Sequence, residues 1–212
     1  HAGRASVHEQ TLAAYRLFDA LKAAHPGVEI ESCSSGGARV DLGILERTDR
    51  IWASDCNDAL ERQTIQRWTG AVVPPELVGS HIGPTTSHTT ARTHDLSFRA
   101  ISALFGHFGM EWDVRQVTGA EREELKRFIA LFKEHRALIH SGRRVHADVA
   151  GDALLLHGVV TGAPAAEGTT AGLFALVSTR TSAAEVPGRL GIPGLDPERS
   201  YRAEAIFPTP DD

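Results

Sequence analysis

The sequence contains the run ESCSSGGARVD at residues 31–41 and, further along, the run WASDCNDALER at residues 52–62. Each set of polar residues has an apolar lead, which is Val28 and Ile30 in the first case and Ile51 and Trp52 in the second. Small residues let a backbone approach a ligand closely, and loops that follow strands often carry functional groups. Two strand-to-loop junctions of this kind in succession predict an α/β fold with its site at the strand ends.

Strand patterns alternate with helix patterns through the first part of the chain. Short apolar runs predict four strands, at residues 28–32, 51–54, 77–81 and 110–114. Ser6 and Glu9 have the spacing of a capping box at the start of the first helix. Thr118 and Glu121 repeat this spacing before a long amphipathic helix, and Asn57 is the predicted N-cap of another. The alternation predicts βαβ units and a parallel sheet, although four strands are too few to close a barrel.

The pattern changes after Gly142. Short β-type runs follow at residues 153–160, 172–178 and 201–207, separated by turn clusters that are rich in Gly, Pro and Asp. Residues 161–170 form a loop of small residues between two of these runs. This texture is typical of an antiparallel sandwich. We therefore predict two domains, at residues 1–141 and 142–212.

Composition places the chain among ordinary globular proteins. Of its 212 residues, 42% are hydrophobic and 23% are charged, and no apolar run approaches the roughly 20 residues of a membrane-spanning helix. The net charge of −5 argues against a nucleic-acid surface, so we expect neither a nucleic-acid nor a membrane partner. Two cysteines form no disulfide framework, which favours a cytoplasmic location. Because the chain begins at His1 and its single methionine is Met110, we expect the natural N-terminus to lie upstream.

Asp55 is the best candidate for proton transfer, because it follows a predicted strand end, where barrel enzymes hold their catalytic groups. Asp58 could raise the pKa of Asp55 by like-charge repulsion, which would suit a general acid. Alternatively, Asp55 or Asp58 caps the helix that begins near Asn57. The local pattern leaves both interpretations open.

Cys33 precedes a small-residue loop that can turn backbone amides toward a ligand. As a nucleophile, Cys33 would need a base such as histidine nearby, which the sequence does not identify. A buried small side chain and a thiol that merely lines a pocket are the alternatives.

Further polar side chains lie near the third and fourth predicted strands. His81, His88 and His94 cluster after a strand end, but their spacing fits no zinc pattern, so we expect local hydrogen bonds and no metal. Glu111 and Asp113 are separated by one residue in the fourth predicted strand. Strand alternation predicts that both carboxylates lie on one face.

The two quoted runs resemble segments of the bacterial α-galactosidases of glycoside hydrolase family 36. Residues 31–41 match the family pattern E-S-C-x-x-G-G-x-R-x-D, and residues 52–66 match W-x-S-D-x-x-D-A-x-E-R-x-x-I-Q. Shorter matches follow in order along nearly the whole chain, at GSH (79–81), RT (92–93), FGME (108–111) and GLDPERSYR (194–202). Two departures are Ser35, where the family commonly has glycine, and Cys56 with Asn57, which replace an acidic or Asn-Thr pair.

The resemblance implies a retaining glycosidase on a (β/α)₈ TIM barrel. This chain would carry the C-terminal half of the barrel, strands five to eight, followed by a small antiparallel β-sandwich domain. The resemblance assigns Asp55 as the general acid/base and Cys33 as a contact of the bound galactose. The family nucleophile is an aspartate in a K-W-D-x-N segment at the end of the fourth barrel strand, and the 212 residues contain no such segment. We expect this segment upstream of His1, and we expect no cofactor.

Three hypotheses remain open for the whole protein. The first is an α-galactosidase that hydrolyses terminal α-galactosides such as melibiose or raffinose, with this chain inactive on its own. The second is a non-catalytic carbohydrate-binding or interaction fragment, since half a barrel exposes strand edges. The third is a related α-N-acetylgalactosaminidase or galactosyltransferase, because residues that read the sugar 2-position lie partly outside the chain. A homo-oligomeric whole protein is compatible with each of them.

Overall fold

The computed structural model of the chain describes residue 3 and residues 5–149, 153–162, 171–183 and 188–207. The chain forms two compact units, His1–His140 and Ser141–Asp212. Helices and a parallel sheet make up the first unit, and the second contains an antiparallel sheet. None of the described helices combines the length and the apolar character that a bilayer crossing requires.

The first unit contains a four-stranded parallel sheet, as the alternating pattern predicts. The strands lie side by side in chain order: β1 Glu31–Ser32, β2 Arg50–Trp52, β3 Val78–Ile82 and β4 His107–Met110. β1 is shorter than the predicted residues 28–32, and Ser32 pairs with Ile51 of β2. Neighbouring strands run parallel because a helical connection returns the chain to the same end of the sheet each time. The loops that follow the strands therefore lie together at the carboxyl ends.

Helices connect and cover the strands of this unit. Within the described residues they are α1 Val7–Ala24, α2 Leu42–Leu45, α3 Ala59–Thr69, α4 Leu96–Ala103 and α5 Gly119–Ser141. The predicted capping box of α5 is confirmed, since the Thr118 amide donates to the Glu121 carboxylate at 2.9 Å and the Glu121 amide donates to the Thr118 hydroxyl at 3.3 Å. At α1 the box prediction is wrong, because the Ser6 side chain makes no capping hydrogen bond.

The fourth strand ends earlier than the sequence predicts. β4 spans His107–Met110 rather than residues 110–114, and the chain then leaves the sheet. Asp113 caps a 3-10 helix, Val114–Gln116, with its side chain. A capping carboxylate turns toward the backbone amides that follow it. Glu111 and Asp113 therefore do not share a strand face, and that prediction is wrong.

The second unit contains a three-stranded antiparallel sheet. Its strands are β5 Arg143–Asp148, β6 Leu154–Val160 and β7 Gly172–Ser178, in that order. The runs predicted at residues 153–160 and 172–178 are confirmed as β6 and β7, whereas β5 was not predicted. On β7, Leu173, Ala175 and Val177 are buried and alternate with more exposed residues, as expected when one face of a sheet is covered.

Residues 201–207, which the sequence predicts as a strand, are described and form none. Residues 201–206 are all exposed, so the segment has no covered face to stabilise a strand. Residues 163–170 of the predicted small-residue loop lie outside the described residues.

Candidate active site

Cys33 and Asp55 lie together at the carboxyl ends of two neighbouring strands. Cys33 directly follows β1, and Asp55 follows β2 after two intervening residues. The thiol sulfur of Cys33 is 3.9 Å from Oδ1 of Asp55, and both residues are exposed. An accessible thiol and an accessible carboxylate therefore share one edge of the sheet. Their assigned roles as sugar contact and general acid/base stay predictions.

Two glycines allow the loop after β1 to pack against the backbone that carries Asp55. A Cβ atom on Gly36 would lie 2.7 Å from the amide nitrogen of Asp55, and one on Gly37 would lie 2.4 Å from the carbonyl oxygen of Ala53. Gly36 also has a φ of +68°, in the left-handed region that favours glycine. The backbones of the two sequence motifs are thus in direct contact, and a residue larger than glycine does not fit at position 36 or 37 without a shift.

The loop after β1 closes on itself and holds Cys33. The Ala38 amide donates to the Ser34 carbonyl at 3.2 Å, and the Arg39 side chain donates to the Cys33 carbonyl at 3.3 Å. Ser35 has a φ of 46°, which is uncommon for a residue with a side chain. The family that the sequence resembles commonly has glycine at this position, and the positive φ gives a physical reason for that preference.

A buried arginine, Arg62, supports the segment that carries Asp55. Its guanidinium lies 4.0 Å from the centre of the Trp52 ring and donates to the Ser54 carbonyl. Burial lowers the pKa of Arg62 to about 10, and attraction to Cys56, Glu111 and Asp55 opposes that shift. The remaining atoms, Nε and Nη1, have no hydrogen-bond partner among the described residues. Arg62 therefore places a desolvated positive charge beneath the backbone segment that leads to Asp55.

Sequence reasoning did not identify Arg62 as part of the site. Its position four residues after Asp58, on a helix that was predicted, could have indicated that it points toward the preceding strand end. The ring that it contacts, Trp52, was predicted only as the apolar lead of a loop.

Asp58 is the N-cap of α3, in place of the predicted Asn57. Its side chain is completely buried, and Oδ1 accepts hydrogen bonds from the amides of Leu60 at 2.8 Å and Glu61 at 3.3 Å. The Asn57 side chain instead donates to the Glu111 carboxylate at 3.2 Å. The capping interpretation is therefore correct for Asp58 and wrong for Asn57.

Neighbouring hydrogen-bond donors and one ion pair stabilise the negative charge of Asp58. Burial by itself would raise the pKa of Asp58, but hydrogen bonds from Thr90, from two backbone amides and from His94 lower it to about 2. The guanidinium of Arg92 also lies 3.1 Å from Oδ2 of Asp58. This direct ion pair opposes the like-charge repulsion that the sequence predicted between Asp58 and Asp55.

The three loop histidines have separate environments. His81 stacks on Trp52 with ring centres 4.4 Å apart, and His94 lies 3.1 Å from the Asp58 carboxylate, whereas His88 is exposed. His81 Nδ1 also lies 3.5 Å from Oε2 of Glu111, so the side-chain partners of His81 and His94 are distant in the chain and not local as expected. Within the described part of the chain, no three or more His, Cys, Asp or Glu side chains are grouped in a way that could hold a metal ion.

Comparison with protein families gives a match to the model described as Melibiase, over residues 1–142. Among curated proteins, the α-galactosidase of Escherichia coli is 42% identical over 206 residues, which make up 97% of this chain and 28% of that protein. The chain thus spans about a quarter of the length of this relative.

Solved structures of α-galactosidases align with the chain as well. The crystal structure of the GH36 α-galactosidase AgaB from Geobacillus stearothermophilus aligns with a TM-score of 0.69 and 31% identity, over 73% of this chain and 21% of that one. A variant of AgaA from the same organism, in complex with raffinose, aligns with a TM-score of 0.64 and 28% identity. This second alignment covers 76% of this chain and 24% of the AgaA chain.

Proposed function

The chain belongs to the melibiase family, and we propose on that premise that it forms part of a longer retaining α-galactosidase, which we call the parent. Most of the chain is similar to α-galactosidases, but it spans only 28% of the Escherichia coli relative. A single observation at the site supports the proposal most strongly. The Cys33 thiol and the Asp55 carboxylate, which the family resemblance assigns to one sugar, lie 3.9 Å apart at neighbouring strand ends.

The four parallel strands form strands five to eight of a (β/α)₈ barrel in the parent. The order β1-β2-β3-β4 and the helices between the strands support this assignment, since consecutive barrel strands are neighbours and parallel. The antiparallel sheet of the second unit belongs to a small β-sandwich domain that follows the barrel. Alternate residues of β7 are buried, so one face of this sheet is covered, as is the inner face of each sheet in a sandwich.

Asp55 acts as the general acid/base of the parent. In the first step it donates its proton to the glycosidic oxygen while a second carboxylate bonds to the anomeric carbon and the aglycone leaves as an alcohol. In the second step the Asp55 carboxylate takes a proton from water, whose oxygen displaces the enzyme from the sugar. The exposed position of Asp55 beside Cys33 gives both the aglycone oxygen and water access to it.

The parent must supply the second carboxylate. A retaining mechanism needs the two carboxyl groups about 5 to 5.5 Å apart. The family places its nucleophile in a K-W-D-x-N segment, which the 212 residues do not contain. We assign that role to another part of the parent, and the isolated chain is therefore inactive.

Terminal α-galactosides are the substrates that fit this proposal, with melibiose and raffinose as small examples. The AgaA variant whose structure contains raffinose is one of the proteins that the chain resembles. Cys33 lines the galactose position and Asp55 faces the bond to the aglycone. A reducing cytoplasm, which suits the two free cysteines, is the proposed location.

The experiment that tests this function measures two substrates with Asp55→Ala in the parent. Raffinose has a poor leaving group and needs the proton, so its kcat/KM falls by about 10² to 10⁴-fold. An activated aryl α-galactoside leaves without protonation, so its first chemical step falls far less. Asp49→Ala is the control, because Asp49 precedes the same strand at its opposite end and pairs with Lys22. Equal losses on both substrates with Asp55→Ala would contradict the proposed role.

A further inference from the structure

Asp58 uses both carboxylate oxygens, and only one of them serves the helix cap. Oδ1 accepts from the two capping amides of α3 and lies 3.1 Å from Nε2 of His94. Oδ2 accepts from the hydroxyl of Thr90 and from the guanidinium of Arg92, the latter at 3.1 Å. An N-cap needs a single acceptor, which asparagine or serine supplies equally well. The Oδ2 contacts instead join the start of α3 to the loop residues Thr90 and Arg92, and Arg92 pairs with Glu61 of α3 at 2.6 Å as well.

The three side chains that bind Asp58 come from one hairpin loop after β3, residues 85–94. The hairpin is closed by backbone hydrogen bonds from Ser87 to Arg92 at 2.9 Å and from His94 to Thr85 at 3.1 Å. Because Thr90, Arg92 and His94 all point at one buried carboxylate, Asp58 fixes the hairpin against the start of α3. The Asp58 side chain is fully buried, whereas Arg92 is 43% exposed and also pairs with Glu61 at 2.6 Å, so loss of the Asp58 carboxylate releases the hairpin without leaving Arg92 unpaired.

The hairpin also contacts the residue next to Asp55. The hydroxyl of Thr89 lies 3.3 Å from the thiol sulfur of Cys56. On the opposite side, Gly36 packs against the amide of Asp55. The short segment from Asp55 to Asp58 is thus held between the loop after β1 and the hairpin after β3, with Asp58 as its buried anchor.

We infer that Asp58 is a positioning residue for Asp55, an inference that rests on the proposed function of Asp55 as general acid/base. The Oδ2 contacts determine the position of the hairpin, and the hairpin in turn contacts Cys56. Asp58 itself fixes the end of the segment that follows Asp55. Proton transfer to a departing oxygen depends on its distance and direction from the acid, so a displacement of about 1 Å can cost about 10²-fold in rate. Loss of the Oδ2 contacts displaces Asp55 while its carboxylate remains chemically intact.

The substitution Asp58→Asn separates the two uses of this side chain. Asparagine keeps a carbonyl oxygen for the α3 amides, but its NH₂ group cannot accept from Thr90 or Arg92. In the parent we expect Asp58→Asn to lower kcat for raffinose about 10 to 100-fold and to lower the first step on an aryl galactoside much less. Asp49→Asn is the matched control, because Asp49 also accepts from a cation and a backbone amide, at the other end of β2.

A double variant tests whether Asp58 acts through Asp55. In the Asp55→Ala background there is no carboxylate to position, so adding Asp58→Asn should change kcat by less than about 3-fold. An undiminished effect of Asp58→Asn in that background, or equal losses on both substrates in the single variant, would overturn the inference. If Asp55→Ala itself shows no leaving-group dependence, the proposed function fails instead, so the two failures are distinguishable.

Thr90→Val decides the question if Asp58→Asn does not fold. This variant removes the hydrogen bond from the Thr90 hydroxyl to Oδ2 and the one that this hydroxyl accepts from the Arg92 amide, and it leaves the carboxylate, the helix cap and the Arg92 ion pair in place. We expect a smaller loss of the same kind, greater for raffinose than for the aryl galactoside, and absent in the Asp55→Ala background. A folded Thr90→Val parent with equal losses on both substrates would contradict the positioning role.

Discussion

A Cβ atom on Gly37 would lie 2.4 Å from the carbonyl oxygen of Ala53, so the loop after β1 and the segment before Asp55 are in direct backbone contact. Real Cβ atoms do not approach a backbone oxygen this closely, so a side chain at position 37 requires one of the two backbones to shift. The position of Cys33 relative to Asp55 therefore depends on the glycine pair Gly36-Gly37, which lies in the motif of Cys33 and contacts the motif of Asp55. Close backbone approach is one of the few roles that only glycine can fill.

Gly37→Ala should force the two loops apart. We expect a loss of about 1 to 3 kcal/mol in the free energy of unfolding of the parent, as for other over-packed sites, together with a drop in raffinose hydrolysis. Gly27→Ala is the control, because a Cβ at Gly27 meets no atom within 4 Å. Denaturant unfolding and raffinose turnover measure both effects. Unchanged stability and turnover in Gly37→Ala would show that the loops separate without cost.

Ser35→Gly should stabilise the loop that holds Cys33. Ser35 has a φ of 46°, where a residue with a side chain is strained by about 1 to 2 kcal/mol and glycine is not. After the entropy that glycine loses on folding, we expect a net gain of up to about 1 kcal/mol. Ser34 does not have a positive φ, so Ser34→Gly should instead lose about 0.5 to 1 kcal/mol. Parallel denaturant titrations compare the two, and equal shifts would argue against strain at Ser35.

Sequence reasoning locates the strand ends of the site but not their surroundings. The apolar leads and the glycine pair are local signals, and they place Cys33 and Asp55 after consecutive strands of a parallel sheet. Asp58 and its partners Thr90 and Arg92 are far apart in the chain, and the hairpin that brings them together has no hydrophobic period. Such a contact is a property of the folded sheet, so no local pattern indicates it.

The wrong strand predictions have a common physical cause. Residues 110–114 and 201–207 contain apolar and β-branched or aromatic residues, which favour strands when a partner strand covers them. Past Met110 the carboxylate of Asp113 accepts from the backbone amide of Arg115, and a capped 3-10 helix replaces the strand. Residues 201–206 remain exposed, so their composition alone is insufficient.

Asp58 should make the stability of the parent sensitive to acid. Its pKa is about 2 in the folded protein, against an ordinary value of 3.8. A depressed pKa gives stability that is fully present above about pH 4 and is lost as pH falls toward about 2, with a size of about 2 kcal/mol. The stability difference between wild type and Asp58→Asn should therefore shrink over this interval. Denaturant unfolding of both proteins between about pH 5 and about pH 2 measures this difference, and a difference that stays constant over the interval would contradict the prediction.

Alkylation of Cys33 should inhibit the parent, because the added group occupies the proposed sugar position beside Asp55. Cys33 is exposed, and Cys56 is half-buried and contacts Thr89. We expect iodoacetamide to inactivate the wild type, free galactose to slow the inactivation, and Cys33→Ser to resist it. Cys56→Ser should remain as sensitive as the wild type. If Cys56→Ser resists and Cys33→Ser does not, the thiol of the sugar site has been misassigned.

Rescue by azide tests most directly the claim that Asp55 is the general acid/base. With Asp55→Ala and an activated aryl α-galactoside, the covalent intermediate forms but water is no longer deprotonated, so turnover stalls. Azide needs no deprotonation, and it attacks the face of the sugar that the enzyme nucleophile does not occupy. This assignment predicts that azide restores turnover of the Asp55→Ala parent and that the product is α-galactosyl azide, because the second displacement inverts the β-linked intermediate once more. No rescue, together with equal losses on raffinose and the aryl substrate, would contradict it.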